Sequence, residues 1–169
     1  NDTMADSNVA TVNITINPAA PVTIASHNFD DNKWNGGTGW NGPWSRVNSP
    51  APNMGTRSPH SAPRMLRLRN TAQAARTVNL TGVTGAQLTF WWKARAFESG
   101  DKAVVQINDG SSHTIFTINN GDDDDNWHKA TIDLSSYNMT SNFEIRFKMQ
   151  GNSDKDYLYL DDIEITGIP

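Results

Sequence analysis

The chain has 169 residues, a formal net charge of −4 and no cysteine. This length is sufficient for one domain with its own hydrophobic core and a short appendage. The absence of cysteine excludes a disulfide scaffold, a thiolate metal site and a cysteine nucleophile. The acidic balance without a basic cluster argues against a nucleic-acid partner. No apolar run approaches the ~20 residues of a membrane span, so we expect no membrane insertion.

The first 20 residues are predicted to be separate from the rest. Residues 9–16 alternate apolar and polar side chains as a strand does, and a stiff linker with Pro18 and Pro21 follows. A lone strand is not stable by itself. The segment resembles the last strand of a bacterial immunoglobulin- or cadherin-like repeat, and the alternative is that it covers a sheet edge of the main domain. We therefore divide the chain into residues 1–20 and 21–169, and expect it to begin partway along a longer exported protein.

The main domain is predicted to consist of short strands without any helix. The predicted strands are 22–29, 44–47, 65–69, 75–80, 87–97, 103–107, 114–118, 127–134, 143–149 and 157–165. The side chains predicted to point inward from the clearest of them are Leu66, Leu68, Leu88, Phe90, Trp92, Ala94, Ala96, Phe143, Ile145, Phe147 and Met149. Turn residues separate the strands at regular spacing, which predicts an all-β fold: an antiparallel β-sandwich of the jelly-roll type.

The last predicted strand contains two adjacent carboxylates, Asp161 and Asp162. Successive side chains on a strand point to opposite faces, so one of the two must share a face with the set Tyr157, Tyr159, Ile163 and Ile165. We expect that face to be the core and Asp161 to be the inward carboxylate. An unpaired carboxylate is costly to bury, and a hard cation, calcium above all, would remove the cost. The alternative is that the strand ends in solvent at Asp161.

The loop of residues 32–44 holds four glycines and three tryptophans. Trp44 begins a strand and is predicted to be in the core, whereas Trp34 and Trp40 are more open. Tryptophan rings stack on the apolar faces of sugar rings, and Asn41 and Arg46 would supply hydrogen bonds to the hydroxyls. The alternative, weighted equally, is that both rings pack under loops.

Catalysis is not expected from this sequence. The four histidines are scattered, without a His-x-x-x-His pair, and no Gly-x-Ser-x-Gly elbow is present. The acidic run at residues 122–125 lacks the alternating ligands of an EF-hand and is predicted to be a solvated turn.

The order of short motifs resembles a known group of domains. The motifs are Phe29-Asp30, residues 36–40, Trp44, 66–68, 76–80, 88–94, Gly100-Asp101, Trp127, 132–134, 145–147 and 160–163. They are similar to the bacterial jelly-roll domains related to MAM domains and to β-sandwich carbohydrate-binding modules. Such a resemblance implies a structural calcium that ties the first strand to the last.

The matching calcium ligands would be Asp30 and Asp161, with Asp31 and Asp162 as substitutes and backbone carbonyls near His60 and Ser61 completing the shell. We therefore expect a non-catalytic, calcium-stabilised module that binds a glycan or cell-surface polysaccharide. Its expected place is a secreted or cell-surface bacterial protein. The alternative is a structural or adhesive MAM-like domain that contacts proteins or self-associates.

Overall fold

The computed structural model describes residues 19–169, and the predicted N-terminal strand lies outside the described residues. The strands are β1 (Val22–His27), β2 (Trp40–Val47), β3 (Asn53–Gly55), β4 (Met65–Arg69), β5 (Gln73–Val78), β6 (Thr84–Arg95), β7 (Lys102–Asn108), β8 (Ser112–Asn119), β9 (His128–Asp133), β10 (Phe143–Gln150) and β11 (Tyr157–Ile168). A single 3-10 turn spans Asn120–Asp122 within the described part. None of the described residues forms a helix long and apolar enough to cross a membrane.

The strands form two antiparallel sheets. One has the order β3-β4-β11-β6-β9, with β1 pairing alongside the second half of β11, and the other has the order β2-β5-β10-β7-β8. Phe90 of the first sheet and Phe147 of the second meet edge to face, with ring centroids 5.2 Å apart. One hydrophobic cluster draws on both sheets. The predicted all-β antiparallel sandwich is therefore confirmed.

The alternating patterns predicted most of the inward faces correctly. Every side chain named above for β4, β6 and β10 is buried, with the exception of Ala96. β6 ends at Arg95, and Ala96 is exposed with a φ of 61°. This backbone turn moves Phe97 into the core in place of Ala96. Residues 48–63, where no strand was predicted, also contain the short strand β3, which pairs with β4.

The prediction for the face of the last strand was correct for Ile163 and Ile165 and wrong for Tyr157, Tyr159 and Asp161. Leu158 and Leu160 belong to the core cluster in the first half of β11, and Ile163 and Ile165 belong to it in the second half. Between them the pairing with β6 shifts register, and Asp162 adopts a φ of 46°. The bulge switches which parity of residue points inward.

As a consequence, Tyr157, Tyr159 and Asp161 lie on the outer face of the sheet. Asp161 is paired with Trp91 of β6, and side chains paired across two strands share a face. Asp161 is nevertheless fully buried, because the loop of residues 60–64 covers it.

Candidate functional site

Asp161 and its neighbours form a compact polar group that we name the Asp161 cluster, consisting of His60, Ser61, Asp161 and Asp162. One Asp161 oxygen accepts the Ser61 backbone N–H at 3.0 Å. The other accepts the Asp162 backbone N–H at 2.9 Å and the Ser61 hydroxyl at 3.4 Å. Burial raises the pKa of Asp161 to about 7, helped by the charge of Asp162 and opposed by the Ser61 N–H. Both oxygens of this carboxylate therefore have donors.

Asp162 is the more accessible carboxylate of the cluster. Its two oxygens contact the His60 ring nitrogen Nδ1 and the Ser61 hydroxyl, each at 2.7 Å. The His60 ring also stacks on Trp91, with ring centroids 3.8 Å apart. The loop is thus held on the sheet by hydrogen bonds to both carboxylates and by aromatic stacking.

The same loop joins the predicted first-strand ligand to the last strand. Asp30 follows β1 and accepts the Arg64 backbone N–H at 3.1 Å, while Asp161 accepts that of Ser61. The second oxygen of Asp30 accepts the Asn28 side-chain amide at 2.7 Å. Asp30, Asp161 and Asp162 therefore each contact one short loop, although their oxygens do not all lie within 4.8 Å of one another. A calcium ion among them stays a prediction.

The glycine-rich loop of residues 28–39 is fixed by a buried arginine. Arg76 of β5 donates to the Gly36 carbonyl at 2.8 Å and to the Gly42 carbonyl at 2.7 Å. Beside it, His27 accepts the Trp44 indole N–H at 2.9 Å. Burial lowers the pKa of His27, so the ring is neutral and structural. Trp44 is in the core as predicted.

The predicted sugar platform is only partly assembled. The guanidinium of Arg46 lies 4.4 Å from the centre of the Trp34 ring and covers one of its faces. Trp40 turns toward Trp44 and donates its indole N–H to the Ser26 carbonyl. Trp34 and Trp40 also pack against the core cluster.

The fourth predicted residue of the platform is also occupied. The side-chain amide of Asn41 donates to the Ser141 carbonyl at 2.8 Å. Trp34 thus contacts Arg46, whereas the Trp40 indole N–H and the Asn41 side-chain NH2 donate hydrogen bonds to backbone carbonyls of the chain.

A second aromatic surface was missed by the sequence reasoning. Three neighbouring strands, β4, β11 and β6, place a row of Arg69, Tyr157 and Arg95 beside a row of Arg67, Tyr159 and Lys93. We name these six residues the tyrosine face.

The tyrosine face is half-exposed and rich in cations. The two tyrosine rings are stacked, with centroids 5.7 Å apart and planes within 14°. Arg67 lies 5.9 Å from the Tyr157 ring, and Lys93 lies 5.1 Å from that of Tyr159. Tyr159 and Lys93 are nearly buried, whereas Tyr157 and the three arginines are partly accessible. Within residues 19–169, one carboxylate lies within ion-pair distance of these four cations: that of Asp125, 3.6 Å from the Lys93 ammonium and 3.8 Å from the Arg95 guanidinium.

The sequence held a partial signal for this surface. Arg67 and Arg69 alternate with buried leucines, and Lys93 and Arg95 alternate with Trp92 and Ala94. That pattern predicts outward cations on each strand. It does not predict that β11 lies between β4 and β6, and this pairing is what creates the surface.

Solved structures share the fold at low sequence identity. The carbohydrate-binding module TmCBM61, determined in complex with β-1,4-galactotriose, has a TM-score of 0.60 and 15% identity, covering 82% of this chain and 92% of that one. The CBM22-1 xylan-binding domain from Paenibacillus barcinonensis has a TM-score of 0.58 and 14% identity, covering 90% and 98%.

An adhesin domain is similar to the same extent. The K3 cleaved adhesin domain of Lys-gingipain from Porphyromonas gingivalis has a TM-score of 0.60 and 14% identity, covering 87% of this chain and 99% of that domain. No curated protein sequence matches the chain significantly. A family model of the MAM domain, meprin/A5/mu, matches residues 27–169. The chain therefore belongs to the MAM domain family.

Proposed function

We propose that this protein is a non-catalytic, extracellular module that binds a glycan on the tyrosine face. The observation that carries the proposal is the partly accessible Tyr157 ring between Arg69 and Arg95 on adjacent strands. An aromatic ring offers a stacking surface for the C–H face of a sugar, and neighbouring guanidinium groups bind hydroxyls, carboxylates or sulfates.

The cations of this face select the class of glycan. Arg67, Arg69 and Arg95 are permanently charged, and Arg95 has one carboxylate, that of Asp125, at 3.8 Å. Arginine forks match carboxylate and sulfate groups in two-pronged geometry. An acidic polysaccharide therefore fits better than the neutral galactotriose and xylan named for the similar modules.

The proposal is tested by titrating the protein with acidic and neutral oligosaccharides in a calorimeter, after a glycan array has identified a ligand. Arg69→Ala and Tyr157→Ala are each expected to weaken binding about tenfold or more, because each removes a stacking or charge-assisted contact of roughly 1–3 kcal/mol. Lys148→Ala is the matched control, because it removes one half-exposed cation from β10 in the opposite sheet.

The same titration separates this surface from the platform predicted at Trp34. Loss of affinity in Trp34→Ala and Arg46→Ala, with Tyr157→Ala unchanged, would move the site to the loop before β2. If no glycan binds to the protein, the proposal of carbohydrate binding is wrong.

A second candidate function is adhesion to protein or self-association. The specific observation in its favour is the similarity to the cleaved adhesin domain of Lys-gingipain. Sedimentation velocity over a range of concentrations tests it, since a self-associating module sediments faster as its concentration rises. A constant sedimentation coefficient argues against self-association.

Structural calcium at Asp30, Asp161 and Asp162 is part of the proposal. Carboxylate, hydroxyl and backbone carbonyl oxygens are the donors that calcium prefers, and the fully buried Asp161 has no lysine or arginine within ion-pair distance among the described residues. The residues thus fit the ion in chemistry, and the ion would link the end of β1 to β11. A metal analysis of the purified protein, with Asp161→Asn for comparison, tests this assignment.

A further inference from the structure

Three carboxylates converge at a place that the proposed function does not involve. Glu98 and Asp101 lie in the turn between β6 and β7, and Asp156 directly precedes β11. One oxygen of each lies within 4.8 Å of the others. Asp156 is fully buried, Asp101 is 4% exposed, and Glu98 reaches the surface. We name these three residues the Asp156 cluster.

One oxygen of this cluster is buried without a partner. Asp156 Oδ2 accepts the backbone N–H groups of Asn152 and Ser153, at 2.9 and 2.7 Å. Asp156 Oδ1 is buried and has no hydrogen-bond partner. Within residues 19–169 it is the one buried side-chain nitrogen or oxygen without a partner. An unpaired buried polar atom costs about 1–3 kcal/mol, and more when it is charged, so such atoms call for a partner.

The negative charge of the cluster is also unbalanced. Within residues 19–169, no lysine, arginine or histidine nitrogen lies within the 4.0 Å ion-pair distance of the three carboxylates. The charge of Asp156 is the main cause that raises the pKa of Glu98, followed by burial and by Asp101. Three acidic groups therefore face one another without a protein cation.

The remaining contacts hold the carboxylates in place. Asp101 Oδ2 accepts the Glu98 backbone N–H at 2.9 Å, and Asp101 Oδ1 accepts the Asn152 side-chain amide at 3.1 Å. Asn152 also donates its backbone N–H to Asp156. These bonds fix two of the three carboxylates and leave free acceptor capacity on each.

We infer that Glu98, Asp101 and Asp156 bind a divalent cation, with calcium as the ion that fits. An all-oxygen donor set with no histidine or cysteine excludes a zinc preference. Calcium–oxygen distances of about 2.3–2.6 Å allow ligand oxygens on opposite sides of one ion to be roughly 5 Å apart, which accommodates this cluster. The ion would occupy the free acceptor position of Asp156 Oδ1 and would join the β6–β7 turn to the loop before β11.

This inference stands independently of glycan binding and of the Asp161 cluster. The two clusters use different residues and different loops. Variants of one cluster therefore leave the ligands of the other unchanged.

The test uses the full chain, freed of metal by a chelator and titrated with Ca²⁺ alone in a calorimeter. The titration extends to about 10 mM, which exceeds the dissociation constants of about 0.1–1 mM found for extracellular calcium modules. Glu98→Gln is the first variant, because Glu98 is the exposed member of the cluster and its substitution leaves the backbone N–H groups bound to Asp101 and Asp156 in place. It is expected to weaken Ca²⁺ binding about tenfold, since affinity follows the number of charged ligands. Asp101→Asn is expected to act in the same direction.

Asp154→Asn is the matched control, because it removes one exposed carboxylate from the same loop outside the cluster. It is expected to bind Ca²⁺ as the unmodified chain does. Asp161→Asn is expected to retain the binding event that Glu98→Gln weakens. Equal Ca²⁺ affinity in Glu98→Gln, Asp101→Asn and Asp154→Asn would overturn the inference. An unmodified chain that takes up no Ca²⁺ over this range, with an unchanged Tm, would overturn it as well.

Discussion

The Asp161 cluster and the Asp156 cluster each contain a fully buried carboxylate, yet they differ in what surrounds it. Both Asp161 oxygens accept hydrogen bonds, whereas Asp156 has one oxygen with two donors and one with none. Burial by itself therefore does not identify a cation site. An acceptor that the protein leaves unpaired, beside further carboxylates, is the sharper indication, because hydrogen bonding already offsets part of the cost of burying Asp161.

The largest effect is expected when Asp156 is replaced. Asp156→Ala removes the acceptor for the Asn152 and Ser153 backbone N–H groups and one cation ligand, so it should lower the free energy of unfolding by about 3 kcal/mol in Ca²⁺. Urea denaturation measures this value. In a chelator the loss should be smaller, because the unmodified protein then carries the unpaired oxygen itself. Equal losses in both buffers would contradict a cation at this cluster.

An intermediate effect is expected from the titration of Asp161. Its folded-state pKa of about 7 lies above the ordinary value of 3.8, so the folded protein holds a proton that the unfolded chain releases. The stabilisation is complete below about pH 3.8 and is lost as the pH rises through 7. In metal-free buffer the free energy of unfolding should fall by about 2–3 kcal/mol from pH 5 to pH 8 on account of this group.

Asp161→Asn should remove that pH dependence. The NH2 group of the new side chain would face an N–H or O–H donor, so the variant should also be less stable at every pH. The quantity to compare is therefore the change in the free energy of unfolding with pH. Chemical denaturation at pH 5 and pH 8 measures both slopes. If the pH dependence of the free energy of unfolding disappears in the unmodified protein when Ca²⁺ is added, an ion is bound at the Asp161 cluster, because the ion keeps the carboxylate ionised.

The smallest effect is expected from the hydroxyl of Ser61. Ser61→Ala removes its 2.7 Å hydrogen bond to Asp162 and the longer one to Asp161, while the backbone N–H of residue 61 remains. The expected loss in the free energy of unfolding is about 1 kcal/mol. Thermal denaturation measures it, with Ser111→Ala, which removes an exposed hydroxyl from the β7–β8 turn, as the control. A loss no greater than in the control would show that the Ser61 hydroxyl does not help to hold the loop.

Predictions that depended only on neighbouring residues in the sequence were correct more often than predictions that depended on the backbone path. The alternation around Leu66, Phe90 and Phe147 depends only on the two-residue period of a strand, and it predicted the core and the sandwich correctly. The burial of Asp161 was predicted for a similar reason, since an apolar run surrounds it. The face was wrong because the bulge at Asp162 is a backbone feature without a glycine or proline to mark it.

The candidate sites depend on pairings between distant parts of the chain. Glu98 and Asp156 are far apart in the sequence and meet because β6 and β11 are neighbours. Tyr157 lies between Arg69 and Arg95 for the same reason.

Composition and period-two alternation are local properties of the chain, and from them the all-β class, most strands and most inward side chains follow. Strand order, register and the bulge result from how all strands compete to bury their faces together, so no single stretch of sequence contains them. The carboxylates and tyrosines that form sites here are brought together only by those long-range pairings.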